Sequence, residues 1–336
     1  MKVLVIKTSS LGDVVHTLPA LTDAAMAIPD IRFDWIVEKA FAEIPAWHPT
    51  VENVIPVTIR HWRRHPIDTW LRGTWSEFKA RLQSSRYDAV IDAQGLLKSA
   101  WLIRYARGKK FGLDRHSARE PLAACFYDAP QSVPKGQHAI ERVRQLFGKS
   151  LGYPDRIQGQ GRYQLNLSQA RGSTVVLLHG TTWPTKHWPE QSWMDLSAKI
   201  RQAGYRAVLP WGSEVERLRA ERIAATSGAD VLDRMNLTEL AGLMASAAAC
   251  ISVDTGLGHL AAAVNTPTIS LFGPTNPELT GLYGDNQIPL PSRFHCAPCL
   301  RKKCTYRLEE NRSPPCFDEL SADKVFAGFT ELVGCT

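Results

Sequence analysis

Short apolar runs rich in β-branched residues alternate along this chain with longer amphipathic stretches. That alternation is expected when helices cover both faces of a parallel sheet, so the pattern predicts an α/β protein. In the first half it predicts strands near Val3 to Lys7, Arg32 to Val37, Asn53 to Pro56, Ala89 to Asp92 and Lys110 to Gly112, with helices over Trp75 to Ser84 and Leu96 to Ala106. The second half restarts with strands near Val175 to His179, Arg206 to Pro210, Cys250 to Val253 and Thr268 to Phe272. Helices are expected around Pro189 to Ala203, Val215 to Ser227 and Leu237 to Ala247.

Between the halves, residues 152 to 173 are rich in Gly, Gln, Arg and Ser and lack periodicity, which suits a linker. Two doubly wound domains follow, 1–165 and 172–320. In a closing segment, 321–336, Val325, Phe326, Phe329, Leu332 and Val333 share one helical face behind a capping Ser321. This last helix is expected to fold back across the domains. Two such domains facing each other leave a cleft lined by the carboxyl ends of their strands, where ligands of open α/β sheets bind.

A length of 336 residues agrees with two domains. The longest apolar runs fall far short of a membrane span, and the N-terminus reads as a first buried strand rather than an export signal. Without such a signal a cytoplasmic protein is expected, and in a chain of this size its seven cysteines are expected as reduced thiols rather than disulfides. The formal charge of +7 is uneven: residues 1–170 carry 24 Lys and Arg against 16 Asp and Glu, whereas the remainder carries 16 against 17. A basic first domain attracts polyanions, whether nucleic acid, anionic lipid or phosphorylated glycolipid.

Candidate chemistry lies where strands end. After the first strand, Thr8 to His16 forms a small polar turn in which Gly12 permits close backbone approach and Asp13 is placed to take a proton from a hydroxyl. An ordinary helix start, with Ser10 capping and Asp13 complementing the dipole, reads equally well. Val253 to Ala261 again follows a strand and opens a helix, and its two glycines expose N–H groups suited to a diphosphate. His259 in that helix is either a phosphate donor or a core histidine. His179 to Pro189 gathers the hydroxyls of Thr181 and Thr182, Lys186 and an indole, although Trp188 and Pro189 also suit a staple for the next helix. Glu216, after Trp211-Gly212-Ser213, offers a bidentate acceptor for ribose hydroxyls, or plain helix-start chemistry. Arg60-His61-Trp62-Arg63-Arg64-His65 concentrates cations around an indole, and Lys98, Arg115 and Arg119 add to it. Cys296, Cys299, Cys304 and Cys316 resemble a zinc-ligand set, with free thiols as the default.

Four stretches together resemble the ADP-heptose:LPS heptosyltransferases of glycosyltransferase family 9, nearest the type I branch. They are Lys7 to Leu21, Tyr87 to Gly95, Thr181-Thr182 with Lys186-His187-Trp188-Pro189, and Ser252 to Leu260. The cysteine-bearing segment after Phe294 is more similar to the type II branch, which leaves the acceptor open.

The resemblance implies a GT-B architecture of two facing Rossmann-like domains. It implies an inverting transfer of heptose from ADP-L-glycero-β-D-manno-heptose to the Kdo region of Kdo2-lipid A, with Asp13 as general base. Thr181, Thr182, Lys186, Asp254, Thr255, Gly256 and His259 would hold diphosphate and heptose, and Glu216 and Met235 the adenosine. Ser10, Gly12, Arg60, Arg63, Arg64, Gln94, Lys98 and Arg119 would form the acceptor side. No cofactor or catalytic metal is implied, in keeping with the lack of an Asp-x-Asp motif. Contact with the cytoplasmic face of the inner membrane would be peripheral, and nucleic acid is not an expected partner. Other readings are a different GT-B transferase, a non-catalytic polyanion-binding protein, and an NAD-dependent oxidoreductase.

Overall fold

Val3, Leu4, Val5 and Ile6 have no exposed surface, because β1 (Lys2–Ile6) runs in the middle of a six-stranded parallel sheet. The structure, a computed structural model, describes residues 1–65, 73–154, 159–165, 167, 169–306 and 314–334, with the side chains of Arg60 and Arg63 outside that description. The chain divides into two units, Met1–Asn166 and Leu167–Thr336.

In the first unit the strand order is β3-β2-β1-β4-β5-β6, where β2 is Arg32–Glu38, β3 Val51–Val57, β4 Arg86–Asp92, β5 Arg107–Leu113 and β6 Ala129–Gln131. Helices α1 (Leu11–Val15), α2 (Leu18–Ala27), α3 (Ile59–Arg64), α4 (Thr74–Ser84), α5 (Leu97–Ile103) and α6 (Ala139–Leu151) connect them. Successive strands run outward from β1 to β3, then the chain crosses back to place β4 on the other side of β1. The reversal opens a crevice beyond the carboxyl ends of β1 and β4. A buried ion pair ties α2 to α6: Arg144 Nε lies 2.6 Å from Asp23 Oδ2, both side chains almost fully buried. Burial raises the Asp23 carboxyl despite the guanidinium beside it.

The second unit repeats the plan with order β12-β11-β10-β7-β8-β9. Here β7 is Thr174–Leu178, β8 Arg206–Leu209, β9 Asp230–Val231, β10 Ala249–Val253, β11 Thr268–Phe272 and β12 Gln287–Pro291. Its helices include α7 (Glu190–Gln202), α8 (Glu214–Ser227), α9 (Leu237–Ser246), α10 (Gly256–Ala263) and α11 (Ala322–Gly334). The equivalent reversal lies between β7 and β10.

Three strands escape the sequence pattern: β6, β9 and β12 are short or proline-bearing sheet edges, where alternation is weak. The closing helix, expected to fold back across the domains, buries its stripe within the second unit. Val325, Phe329 and Leu332 join the core of β7, β10 and β11, Tyr205 meets Phe329 edge-on, and Ser321 Oγ accepts from Lys324 N at 3.3 Å as the cap.

Candidate functional site

In the first unit the chemistry gathers at the ends of β1 and β4. Lys7 continues β1 by donating its N–H to Ile36 O, and its buried side chain donates from Nζ to Ala93 O at 2.8 Å. Gln94 then stitches the next turn: its Oε1 accepts from Thr8 N at 2.9 Å and Ser9 N at 3.2 Å, and its Nε2 donates to Ser9 O. Beneath it, fully buried Asp92 accepts from Gln94 N and from the Tyr127 hydroxyl, both at 2.8 Å, and burial raises its carboxyl. Lys98 Nζ donates to Ser9 Oγ at 2.8 Å. Gln94 and Lys98 thus hold the loop that carries the other candidates.

Asp13 sits at the third position of α1. Its Oδ2 accepts from both the N–H and the hydroxyl of Ser10 at 2.9 Å, and its Oδ1 lies 3.8 Å from Lys7 Nζ. The helix-start reading of this turn is realised in that side chain. The carboxylate helps cap α1, yet its side chain keeps 46% exposure, which leaves it open to an incoming hydroxyl. Gly12 is buried within the helix, while Arg64 and Arg119 are exposed on other elements. Arg60 and Arg63 lie outside the described side chains. In this unit sequence reasoning missed Lys7; the available signal was a lysine closing an otherwise apolar strand.

In the second unit Lys186 Nζ lies 2.7 Å from Asp254 Oδ2, which also accepts the Thr275 hydroxyl at 2.6 Å. Thr181 Oγ1 donates to the Asp254 carbonyl at 3.3 Å, joining the loop after β7 to the loop after β10. Just beyond, Thr255 is the N-cap of α10, and it makes no side-chain cap hydrogen bond. The first-turn amides at Gly256 are therefore not consumed by that cap, and they add a positive helix end to the lysine. Gly258 is required by packing: a Cβ there would meet Ser252 Oγ at 2.7 Å. His259 is buried in the same helix, whereas Thr182 is exposed on the loop.

Glu216 Oε2 accepts from Gly212 N at 2.8 Å and Ser213 N at 3.2 Å, so the carboxylate caps α8. It also approaches the β7 loop, since a Cβ on Gly180 would stand 2.6 Å from Glu216 Oε1. Met235 is half-buried between β9 and α9, and Trp211 Nε1 donates to Leu232 O at 2.7 Å to join these two loops. Trp188 proves to be core, with no exposed surface and its Nε1 bonded to Leu320 O. Trp183 instead carries two cations on its ring, Lys186 Nζ at 4.6 Å and Lys302 Nζ at 5.2 Å. Lys302 and Thr275 were not singled out from sequence, because they lie far along the chain from the residues they join.

Behind this loop, His187 Nδ1 pairs with Arg219 Nη1 at 2.7 Å, and Arg219 Nη2 donates to Trp188 O. Burial and the nearby guanidinium lower His187 to about 4, so the imidazole is neutral and accepts. Burial likewise lowers His179 to about 4. The four clustered cysteines are free thiols. Cys316 is pushed up to about 12, first by burial and then by Cys296, Cys299 and Cys304 around it.

Two strand-end constellations result, one with an open carboxylate and one with a lysine beside a helix start suited to a diphosphate. The model for glycosyltransferase family 9 (heptosyltransferase) matches residues 75–309. Lipopolysaccharide heptosyltransferase 1 of Pseudomonas aeruginosa is 55% identical, with 97% of this chain and 96% of that one covered. Among solved structures, E. coli heptosyltransferase WaaC with ADP matches at a TM-score of 0.87 and 45% identity, covering 99% of this chain and all of that one. WaaC with ADP-2-deoxy-2-fluoro heptose matches at 0.84 and 45% identity, covering 98% and 99%.

Proposed function

The chain belongs to glycosyltransferase family 9, and from that membership we propose that it transfers heptose from ADP-heptose to the Kdo region of Kdo2-lipid A in lipopolysaccharide inner-core assembly. The observation that carries the reading is the exposed Asp13 carboxylate at the first unit's strand reversal, in a chain whose second unit holds Lys186 beside the start of α10.

The reaction is a single displacement with inversion. Asp13 takes the proton of the acceptor hydroxyl as that oxygen attacks the anomeric carbon, and the bond to the diphosphate breaks on the opposite face of the sugar. Charge that develops on the departing ADP is met by Lys186 and by the amides that open α10. These groups are cationic or dipolar already, so the proposed chemistry calls for no metal. Glu216 and Met235 hold the adenosine, and Thr181, Thr182, Thr255 and His259 complete the donor side. The first unit takes the phosphorylated acceptor, with Arg64, Lys98, Arg119, Arg60 and Arg63 as its cations.

Peripheral contact with the inner membrane is part of this proposal. Among the described residues no helix is long and apolar enough to cross a membrane. The first unit carries an aromatic shelf instead: Trp75 stacks on Trp101 at 4.6 Å, and Trp101 and Leu97 are each 40% exposed. Arg104 lies over the Tyr105 ring of the same cluster. Aromatic rings rimmed by cations suit an anionic lipid interface.

The test is mass spectrometry of a reaction containing ADP-heptose and Kdo2-lipid A. One added heptose per acceptor with release of ADP is the expected product. Transfer only to an acceptor that already carries heptose, or no transfer, contradicts the reading.

A further inference from the structure

The segment after β12 brings together four cysteines that the proposed reaction does not use. Cys296 and Cys299 have two residues between them, the spacing of a C-x-x-C half-site, Cys304 follows in the same loop, and Cys316 lies in the short Pro315–Phe317 turn. All four line one small cavity of about 20 Å³. That is room for a single ion or water rather than for an organic ligand. None of the four is in a disulfide.

We propose that Cys296, Cys299, Cys304 and Cys316 bind one thiophilic divalent cation, of the zinc class, as a closed four-sulfur structural site. Among the described residues no three His, Cys, Asp or Glu already form a ready ligand set. Binding draws the four thiols inward. Each thiol gives its proton to solvent and each sulfur donates an electron pair to the ion, so four thiolates around a dication carry a net charge of −2. Arg301, Lys302 and Lys303, which directly precede Cys304, supply compensating charge. Four sulfur ligands leave no open position, which makes the ion a clasp rather than a reaction centre.

The clasp has a consequence for the donor loop. Thr185 and Arg301 line the same cavity, and Thr185 Oγ1 donates to Arg301 O at 2.7 Å. On the other side of that contact Lys302 lies over Trp183, which also carries Lys186. Fixing the cysteine loop therefore fixes the segment that presents Lys186. Only this kinetic consequence rests on the donor reading; the metal site stands apart from it.

The deciding experiment is metal analysis of the full chain, purified untagged and without chelator or added metal. About one equivalent of zinc or iron per chain is expected, and visible thiolate-to-iron absorption tells the two apart. Reduced apoprotein titrated with Co²⁺ should saturate at about one equivalent with the charge-transfer and d–d bands of a tetrahedral thiolate site. Cys299→Ser should lower the metal content at least about tenfold and raise KM for ADP-heptose several-fold with kcat little changed. The exposed Cys125→Ser serves as a control that keeps the metal. Protein that carries less than about a tenth of an equivalent, and that shows no thiolate bands with Co²⁺, overturns the proposal whatever the variants do. Should Cys299→Ser fail to fold, the wild-type titration still decides. Metal present with no heptosyl transfer would leave the site standing and sink only the donor reading.

Discussion

Lys186 is held by Asp254: the ammonium lies 2.7 Å from Oδ2, and the same oxygen takes the Thr275 hydroxyl at 2.6 Å. A lysine on a loop ordinarily samples many rotamers. Here the acid fixes its direction before a donor arrives, and the ion pair is mostly buried, with side-chain exposures of 16% and 7%. Preset charge of this kind needs little reorganisation as a leaving group becomes negative.

Lys186→Met is accordingly expected to lower kcat/KM for ADP-heptose by about 10²-fold or more, the scale of losing one preorganised charge stabiliser. Steady-state kinetics with varied donor measures this. A loss of less than about threefold would mean that the lysine serves only to pair Asp254.

Gly180→Ala probes the adenosine side without replacing a polar side chain. The new methyl would begin 2.6 Å from Glu216 Oε1, so the carboxylate must swing away and loosen its bonds to Gly212 N and Ser213 N. Loss of that cap should cost about 1 kcal/mol of stability, and ADP should bind about tenfold more weakly by calorimetry. Unchanged ADP affinity would remove Glu216 from the nucleotide site.

Stability should fall on the acid side of neutrality for a reason other than the carboxylates. His48, His179 and His187 are each lowered to about 4, mainly by burial. The unfolded chain therefore binds more protons than the folded one between about pH 6.5 and 4. Their contribution is complete above the unfolded value and is lost as pH falls through that window, by up to about 3 kcal/mol for His48 and for His179 and by less for the more solvent-screened His187. Urea midpoints from pH 7 to 4.5 measure it. His48 bridges Thr22 and Thr50 by hydrogen bonds at 3.0 Å and 2.8 Å, away from the candidate site, and His48→Asn should flatten the slope. An unchanged slope in that variant would show that His48 is not held neutral.

The sequence made the repeated α/β plan legible because β1, β7 and β10 are central strands, apolar on both faces, and each runs into a polar, glycine-bearing turn. It concealed the edges: β9 has only two residues, and β12 contains Pro289 and Pro291. That Asp13, Lys186 and Asp254 stand just after strands was legible too. What those residues touch was not. Lys7 reaches Ala93 just past the end of β4, Thr275 reaches Asp254 from beyond β11, and Lys302 reaches Trp183 from a later loop. Such partners are set by strand order, which spacing along a chain does not encode. Trp188, read beside Pro189 as suited to a staple for the next helix, is core.

The central claim is that the Asp13 carboxylate accepts the acceptor's proton. Asp13→Asn keeps the side chain's shape and an oxygen able to accept from Ser10, while removing the charge and the basicity. Its turnover of ADP-heptose with Kdo2-lipid A at saturating donor is predicted to fall by about 10²-fold or more, with ADP-heptose affinity retained. Turnover within a few-fold of the unsubstituted enzyme would contradict the account.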